Sequence, residues 1–339
     1  MDSTKNKNTF VGLPLVFYRP QTRFGFGAAG AYSFRFQGQT VDERPSQLKF
    51  VLAYTQNKQI LCYFPFDLFW NKNVNYLGGE VGYYVYNFPY FGIGVDSKIE
   101  DKENYAVRFP RVRLNYSRTI HPILYVGGRI AYDGMVITDF VEDGLLDNDA
   151  PVGLPKGGDI FGLGPLFTLD NRDNVFWPTK GWWINTYYQL FSKSFISDFN
   201  YTRINLEIKK YHQFTWKHII ALHTRIELTN GTPPFFNLST LGGGSRLRGY
   251  ISERFIDHNS YLAQAEYRVP IYKDLSGVVF GGVGTVAPTF NQLWNNKYIH
   301  SYGLGIRYMV DREKRVNVRL DYGLTPDGGN FYFTIGEAF

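Results

Sequence analysis

Ser239-Thr-Leu-Gly-Gly-Gly-Ser-Arg-Leu-Arg-Gly-Tyr250 is a glycine-rich stretch carrying Arg246 and Arg248, set in a long connection between two alternating runs. Gly242, Gly243 and Gly244 free the backbone for left-handed turns, and Gly249 lets the chain pass close to a wall immediately after Arg248. A loop built this way folds back on its own scaffold. A guanidinium carries a fixed charge and five donors, so an Arg248 taken into an enclosed space needs a carboxylate there, or several kcal/mol are lost. Glu266 is the candidate partner close by in sequence.

Working outward, the chain on both sides of this loop alternates with period two, the mark of strands with one polar face. Thr202, Ile204, Leu206 and Ile208 oppose Arg203, Asn205, Glu207 and Lys209, and Ile220, Leu222, Thr224 and Ile226 oppose His223, Arg225 and Glu227. Beyond the loop, Tyr261, Ala263, Ala265, Tyr267 and Val269 oppose Gln264, Glu266 and Arg268; further on, Val316, Val318, Leu320 and Tyr322 oppose Asn317, Arg319 and Asp321. Counted along the chain, such runs number about 16, each of roughly 9–14 residues, the even number expected of a bacterial barrel. Long connections are expected near 92–104, 133–160, 230–259 and 288–297, and short turns near 37–46, 70–74, 119–122, 173–180, 212–216, 272–275 and 311–315.

Composition narrows the class. The 339 residues are 44% hydrophobic, yet no run approaches the roughly 20 apolar residues of a membrane helix. Aromatics reach 18% and charged residues only 19%, below the usual value of about 25%. That mixture suits a barrel in lipid, with an apolar outside, aromatic rims and a polar lumen. Composition alone fits a large soluble β-protein equally well: in a sandwich the apolar face of each strand would be the inner one, in a lipid-embedded barrel the outer one.

Charge and motif chemistry exclude several functions. The net charge is +6, but the arginines are spread singly along alternating strands, which reads as a positively lined lumen and not as a nucleic-acid surface. His121, His212, His218, His223, His258 and His300 lack metal-ligand spacing, and the single Cys62 permits neither an internal disulfide nor a thiolate zinc site. The glycine triplet lacks the Lys-Ser/Thr and the strand-to-helix context of a phosphate loop. Asp170, Arg172 and Asp173 are of mixed sign and read as a hydrogen-bonded turn, not an oxygen cage for calcium. No catalytic residue, metal or cofactor is expected, and the chain is read as a non-enzyme.

Leu247-Arg248-Gly249-Tyr250 resembles the signature of the inward-folded sixth extracellular loop of the BamA/TamA superfamily of bacterial outer-membrane assembly and secretion barrels. Further stretches match in the same order: Asp170-Asn-Arg-Asp-Asn-Val-Phe-Trp-Pro-Thr-Lys-Gly181, Ala265-Glu-Tyr-Arg-Val-Pro270 and the terminal Phe331-Tyr-Phe-Thr-Ile-Gly-Glu-Ala-Phe339. One departure stands out. Where the family has an aspartate in a Phe-x-Asp-x-Gly strand, this chain has Phe280-Gly-Gly-Val-Gly284, so Gly282 removes one of the carboxylates that the resemblance implies for Arg248, and the arginine is expected to depend more on Glu266.

The resemblance implies an all-β fold, a transmembrane antiparallel barrel of the bacterial outer membrane occupying 10–339 after a polar tail, 1–9. Neither a secretory leader nor the N-terminal periplasmic modules common in the family is expected before Phe10, because the tail is short and polar. The implied function is to assist insertion or translocation of other proteins; the alternative is a passive channel or structural surface barrel that keeps the scaffold. Outer-membrane lipids are the implied partners, with client outer-membrane proteins or a companion protein carrying periplasmic modules. Asp170, Arg172, Asp173, Pro178 and Gly181 are placed in a periplasmic turn. The closing seam is expected to be weak, because Gly12 and Pro14 in the first strand subtract ladder hydrogen bonds, opposite a last strand that includes Gly336 and ends on Phe339.

Overall fold

The computed structural model describes residues 8–19, 23–40 and 43–339; most of the expected tail lies outside them, as does the centre of the turn after Arg19. The strands that form the wall are β1 (Thr9–Arg19), β2 (Arg23–Phe34), β3 (Ser46–Thr55), β4 (Ile60–Trp70), β5 (Asn75–Tyr90), β6 (Glu103–His121), β7 (Leu124–Asp139), β8 (Gly157–Asp170), β9 (Gly181–Phe191), β10 (Tyr201–Gln213) and β11 (Ile219–Gly231). After the glycine loop, which contains the short strands β12 (Ser239–Leu241) and β13 (Phe255–Asp257), the wall continues through β14 (Asn259–Tyr272), β15 (Leu275–Ala287), β16 (Ile299–Asp311), β17 (Val316–Thr325) and β18 (Gly328–Ile335). Each wall strand pairs with the next in chain order, giving one 16-stranded sheet, while β12 and β13 pair only with each other. The wall pairings are antiparallel, which places both termini at one end with the turns after β2, β4, β6, β8, β10, β14 and β16, and the long connections after β5, β7, β11 and β15 at the other. In outer-membrane barrels the short turns face the periplasm.

The expected two-faced alternation is present. On β17, Asn317, Arg319, Asp321 and Gly323 are buried while Leu320 and Tyr322 are exposed, and on β14 Leu262, Gln264, Glu266 and Arg268 are buried while Ala265 and Tyr267 are exposed. The polar set faces inward and the apolar set outward, the reverse of a soluble sandwich. The β14–β15 pairing shifts register between Pro270 and Tyr272, where the proline cannot donate to the ladder.

Some boundaries differ from the sequence reading. The ladder of β5 on β6 runs unbroken from Asn75↔Arg118 to Tyr90↔Glu103, and β7 and β8 continue to Asp139 and from Gly157, well into the stretch read as a loop. These strands stand tall because their inward aromatic residues have something to pack on. Tyr90, Tyr105, Phe109 and Met135 form a buried cluster with Leu146, Phe235, Leu238 and Ile256 from the connections folded over them. Glycine- and aspartate-rich composition hid that strand extension, because ladder bonds do not depend on side-chain polarity.

The seam departs furthest from expectation. Gly12 and Pro14 are paired in register with Gly30 and Ala28 of β2, so they do not interrupt that ladder. On its other side β1 has no strand partner among the described residues, and neither does the outer edge of β18. Among the described residues the sheet therefore ends at β1 and β18, with no strand pairing between them. Nor does β18 run to the end of the chain. It stops at Ile335, and Gly336 takes φ +89°, a left-handed conformation that lets the last residues turn inward. Phe339, expected to close the last strand, lies instead in the lumen against Tyr211 and Ala221, its ring 4.9 Å from that of His223.

Candidate functional site: a re-entrant loop clamped beside the free edge

The loop between β11 and β14 enters the lumen as the β12–β13 hairpin and turns at its tip through positive φ at Gly242, Gly243, Leu247 and Gly249. At Gly249 the requirement for glycine is steric: a Cβ would lie 2.6 Å from Thr325 Cγ2 and 3.1 Å from the carbonyl carbon of Gly323. The two backbones touch, and that contact seats the tip against β17. Leu247 and Tyr250 anchor the apolar side, buried with Leu241, Phe255, Leu262 and Val286. Leu247 N–H donates to Gln264 Oε1 at 3.4 Å, and Gln264 Nε2 donates to Ser245 O at 2.8 Å.

Arg248 is then carried into a buried ionic cluster. Its Nη2 stands 2.6 Å from Glu266 Oε1, close but off hydrogen-bond alignment, and its Nη1 donates to Asp321 Oδ2 at 2.8 Å. The guanidinium lies over Phe280, 3.6 Å from the ring centroid. Around it, Arg268 pairs with Glu266 at 2.7 Å, Arg307 with Asp321 at 2.5 Å and with Glu337 at 2.8 Å, and Arg319 with Asp321 at 3.4 Å. Arg248, Arg268, Arg307, Glu266 and Asp321 are at most 1% exposed. Interlocking pairs of this kind lower one another's desolvation cost, and removing one member strands the rest.

The expectation for Gly282 is corrected here. The chain does not leave Arg248 with Glu266 alone, because Asp321 on β17 supplies a second carboxylate. Gly282 itself is a tight position: a Cβ there would stand 2.9 Å from Gln264 Cβ and 3.0 Å from Leu247 Cδ1, so a side chain would crowd the residues that seat the loop. The alternation of β17 already put Asp321 on the lumen face, but no strand-local signal says which lumen carboxylate a loop arginine reaches. Arg268, Arg307, Arg319 and Glu337 were missed as members of the cluster for the same reason.

The loop also ties down the free edge. Gly249 N–H donates to Tyr332 Oη at 3.0 Å, Tyr332 Oη donates to Tyr250 O at 2.7 Å, and Asn330 Nδ2 donates to Gly249 O at 2.6 Å. Arg319 bridges Thr334 Oγ1 at 2.7 Å and Gly244 O at 3.0 Å. Every inward residue of β18 from Asn330 to Thr334 is thus bonded to the loop or to its clamp. On the other face Phe331, Phe333 and Ile335 are 66%, 70% and 74% exposed. The folded-back terminus joins the same cluster, with Arg268 Nη2 donating to the main-chain oxygen of Phe339 at 3.2 Å and Asn317 Nδ2 to Glu337 at 3.0 Å.

The remaining expected residues form a turn that crosses the barrel mouth. Arg172 pairs with Asp170 through both carboxylate oxygens at 2.8 Å, and Gly181, at φ +110°, starts β9. Asp173 accepts from the Thr179 and Lys180 amides, the Thr179 hydroxyl and Arg315 Nη1 at 2.8–3.1 Å. Burial works against its charge, but these donors outweigh burial and hold the carboxyl below the usual carboxylate range. Asn174 Nδ2 donates to Lys314 O at 3.2 Å, so the β8–β9 turn is tied to the β16–β17 turn across the opening. Pro178 lies within this turn, next to Trp177, over which Arg268 is placed with its guanidinium 4.8 Å from the ring centroid. Among the described residues no group of His, Cys, Asp and Glu side chains is arranged to hold a metal ion.

An antiparallel wall with apolar side chains outward, a charged lumen and a re-entrant arginine loop defines an outer-membrane β-barrel. Its family is shown by sequence: a model of the Omp85 superfamily domain matches residues 26–339, and the chain belongs to that superfamily. In fold it is similar to BamA from Haemophilus ducreyi lacking POTRA domains 1–3, with a TM-score of 0.65 at 15% identity over 98% of this chain and 69% of that one. It is also similar to CdiB from Acinetobacter baumannii, with a TM-score of 0.59 at 12% identity over 97% of this chain and 59% of that one. No curated protein matches the chain in sequence.

Proposed function

We propose that this barrel assists the insertion or translocation of other proteins at the outer membrane by offering the free edges of β1 and β18 to a client strand. The observation that carries this reading is the contrast around the wall: fifteen successive pairings are laddered, and among the described residues no strand pairing joins β18 to β1. An unpaired edge templates another strand through its main-chain groups, and each ladder hydrogen bond contributes a net of about 0.5–1.5 kcal/mol. The loop supports the same reading, because it holds β18 from the lumen side while leaving the outer edge free. The role is mechanical and non-enzymatic, and a companion protein with periplasmic modules is a partner compatible with it.

The test is a set of cysteine pairs placed along β1 and β18 in a Cys62→Ser background, with the protein reconstituted in vesicles and given an unfolded outer-membrane barrel as client. Oxidation is expected to stop acceleration of client folding, and reduction to restore it. Unchanged acceleration with the edges locked, or a steady large conductance without any effect on client folding, would replace this proposal with that of a passive channel.

A further inference from the structure

The lipid-facing side of the wall opposite the loop carries a groove that the edge-opening role does not use. Ala265 of β14 pairs with Leu222 of β11 on one side and with Gly281 of β15 on the other, and Ala263 with Thr224 and Val283. These positions point outward, so Ala263, Ala265 and Gly281 form a low floor between walls set by Leu222 and Ile208 on one flank and Val283 on the other, an open groove of about 660 Å³. The floor is open as well as low: at Gly281 only Ser301 O lies within 4 Å of where a Cβ would be, at 3.6 Å.

One end of this groove is cationic. Lys210 of β10 sits in the same outward row, paired with Trp182 of β9 and Leu222 of β11, its Nζ 4.1 Å from the Trp182 ring centroid. Lys210 forms no ion pair among the described residues. A lysine in the lipid-facing row is costly away from the headgroups, and Lys210 lies only a few residues from the β10–β11 turn, within reach of that interface. The rim beyond it adds to the same sign. Lys217 and Lys273 are exposed there with Phe214, Trp216 and Tyr272, while Asp274 is taken up by Arg312 through both oxygens at 2.6–2.7 Å. Aromatic and basic residues together mark the headgroup level, and this is the end that carries both termini, the periplasmic one.

We propose that the groove holds an anionic phospholipid of the periplasmic leaflet, one acyl chain along Ala263, Ala265 and Gly281 and the phosphate at Lys210. The apolar floor accounts for the chain and the unpaired ammonium for the headgroup; a zwitterionic lipid would bring its own cation against Lys210 and lose the attraction.

The test is quenching of tryptophan fluorescence in phosphatidylcholine vesicles containing brominated phosphatidylglycerol or brominated phosphatidylcholine, with a Trp182→Phe variant isolating the Trp182 signal. Phosphatidylglycerol is expected to quench that signal at about five-fold lower mole fraction, the size expected of one lysine near the surface. Lys210→Gln is expected to abolish the preference, and Gly281→Leu to weaken quenching by both lipids, with heat-modifiable electrophoretic mobility confirming that each variant is folded. Equal quenching by the two lipids, a preference that survives Lys210→Gln, or quenching unaltered by Gly281→Leu would each overturn the proposal. So would loss of the preference on adding inorganic phosphate, because the site would then take the anion and not the lipid.

Discussion

Asp321 Oδ2 stands 2.8 Å from Arg248 Nη1, which joins the tip of the re-entrant loop to the strand next to the free edge. Asp321 also serves Arg307 and Arg319, as Glu266 serves Arg248, Arg268 and Arg307. Either carboxylate is therefore the counter-charge of several buried cations.

Asp321→Asn and Glu266→Gln are each expected to destabilise the folded barrel by roughly 3–5 kcal/mol, because each leaves buried guanidinium charge uncompensated. Arg248→Ala combined with Asp321→Asn is expected to cost less than the sum of the single changes, since removing the cation relieves part of what the lost carboxylate leaves exposed. Denaturant titrations followed by heat-modifiable mobility measure this. Additive costs would mean that the two residues do not act as a unit.

Gly336→Ala is expected to cost about 1–2 kcal/mol, the strain of a left-handed L-residue, and to draw the last residues out of the lumen. A fluorine label on Phe339 reads the environment directly. Its resonance should move from a ring-shifted position beside His223 and Tyr211 to a solvent-like one, with little change at a label placed on Phe331.

The crossing of the barrel mouth through Asp173 is expected to depend on acid. The folded-state pKa of this carboxyl is depressed, so its contribution is fully present above the ordinary value near 3.8 and is lost as pH falls through the lower folded value. Spin labels at Asn174 and Lys314 should hold one narrow distance at neutral pH and a broadened one only once pH has fallen below the ordinary 3.8 and through the lower folded value. Asp173→Asn should broaden it already at neutral pH, by removing an interaction with Arg315 of roughly 1 kcal/mol or less.

Glu253, on the loop behind Arg248, has its carboxyl pushed up to about 7 by burial, against the opposing pull of Arg246 and Arg111. Its folded pKa lies above the unfolded one, so the seated loop binds the extra proton between the unfolded value of 4.5 and about 7, and seating weakens as pH rises through that window. A nitroxide at Ser252 should become more mobile from pH 5 to pH 8. Glu253→Gln should remove that dependence and strengthen seating at pH 8, by at most about 3 kcal/mol.

The sequence by itself determined the wall. Strand periodicity is local, and a one-residue slip would turn every side chain to the wrong face, so the alternation from Thr202 onward names both the strands and their lumen residues. The re-entrant loop was equally legible, because Gly242, Gly243 and Gly249 take conformations that few other residues adopt, although Gly244 does not need one. Arg248 needs a carboxylate on the same chemical ground, and Glu266 was readable as one.

Only the tertiary structure decided what meets what across the lumen. Asp321 lies 73 residues from Arg248 in the chain, and their contact depends on where the loop tip stops, which Gly249 against Gly323 sets through space. The inward turn after Ile335 likewise has no periodic signature, since a strand pattern continues to read as strand until a neighbour stops pairing with it. The free edges of β1 and β18 are of the same kind: an edge is the absence of a partner, and a partner is a property of the assembled sheet and not of either strand's own residues.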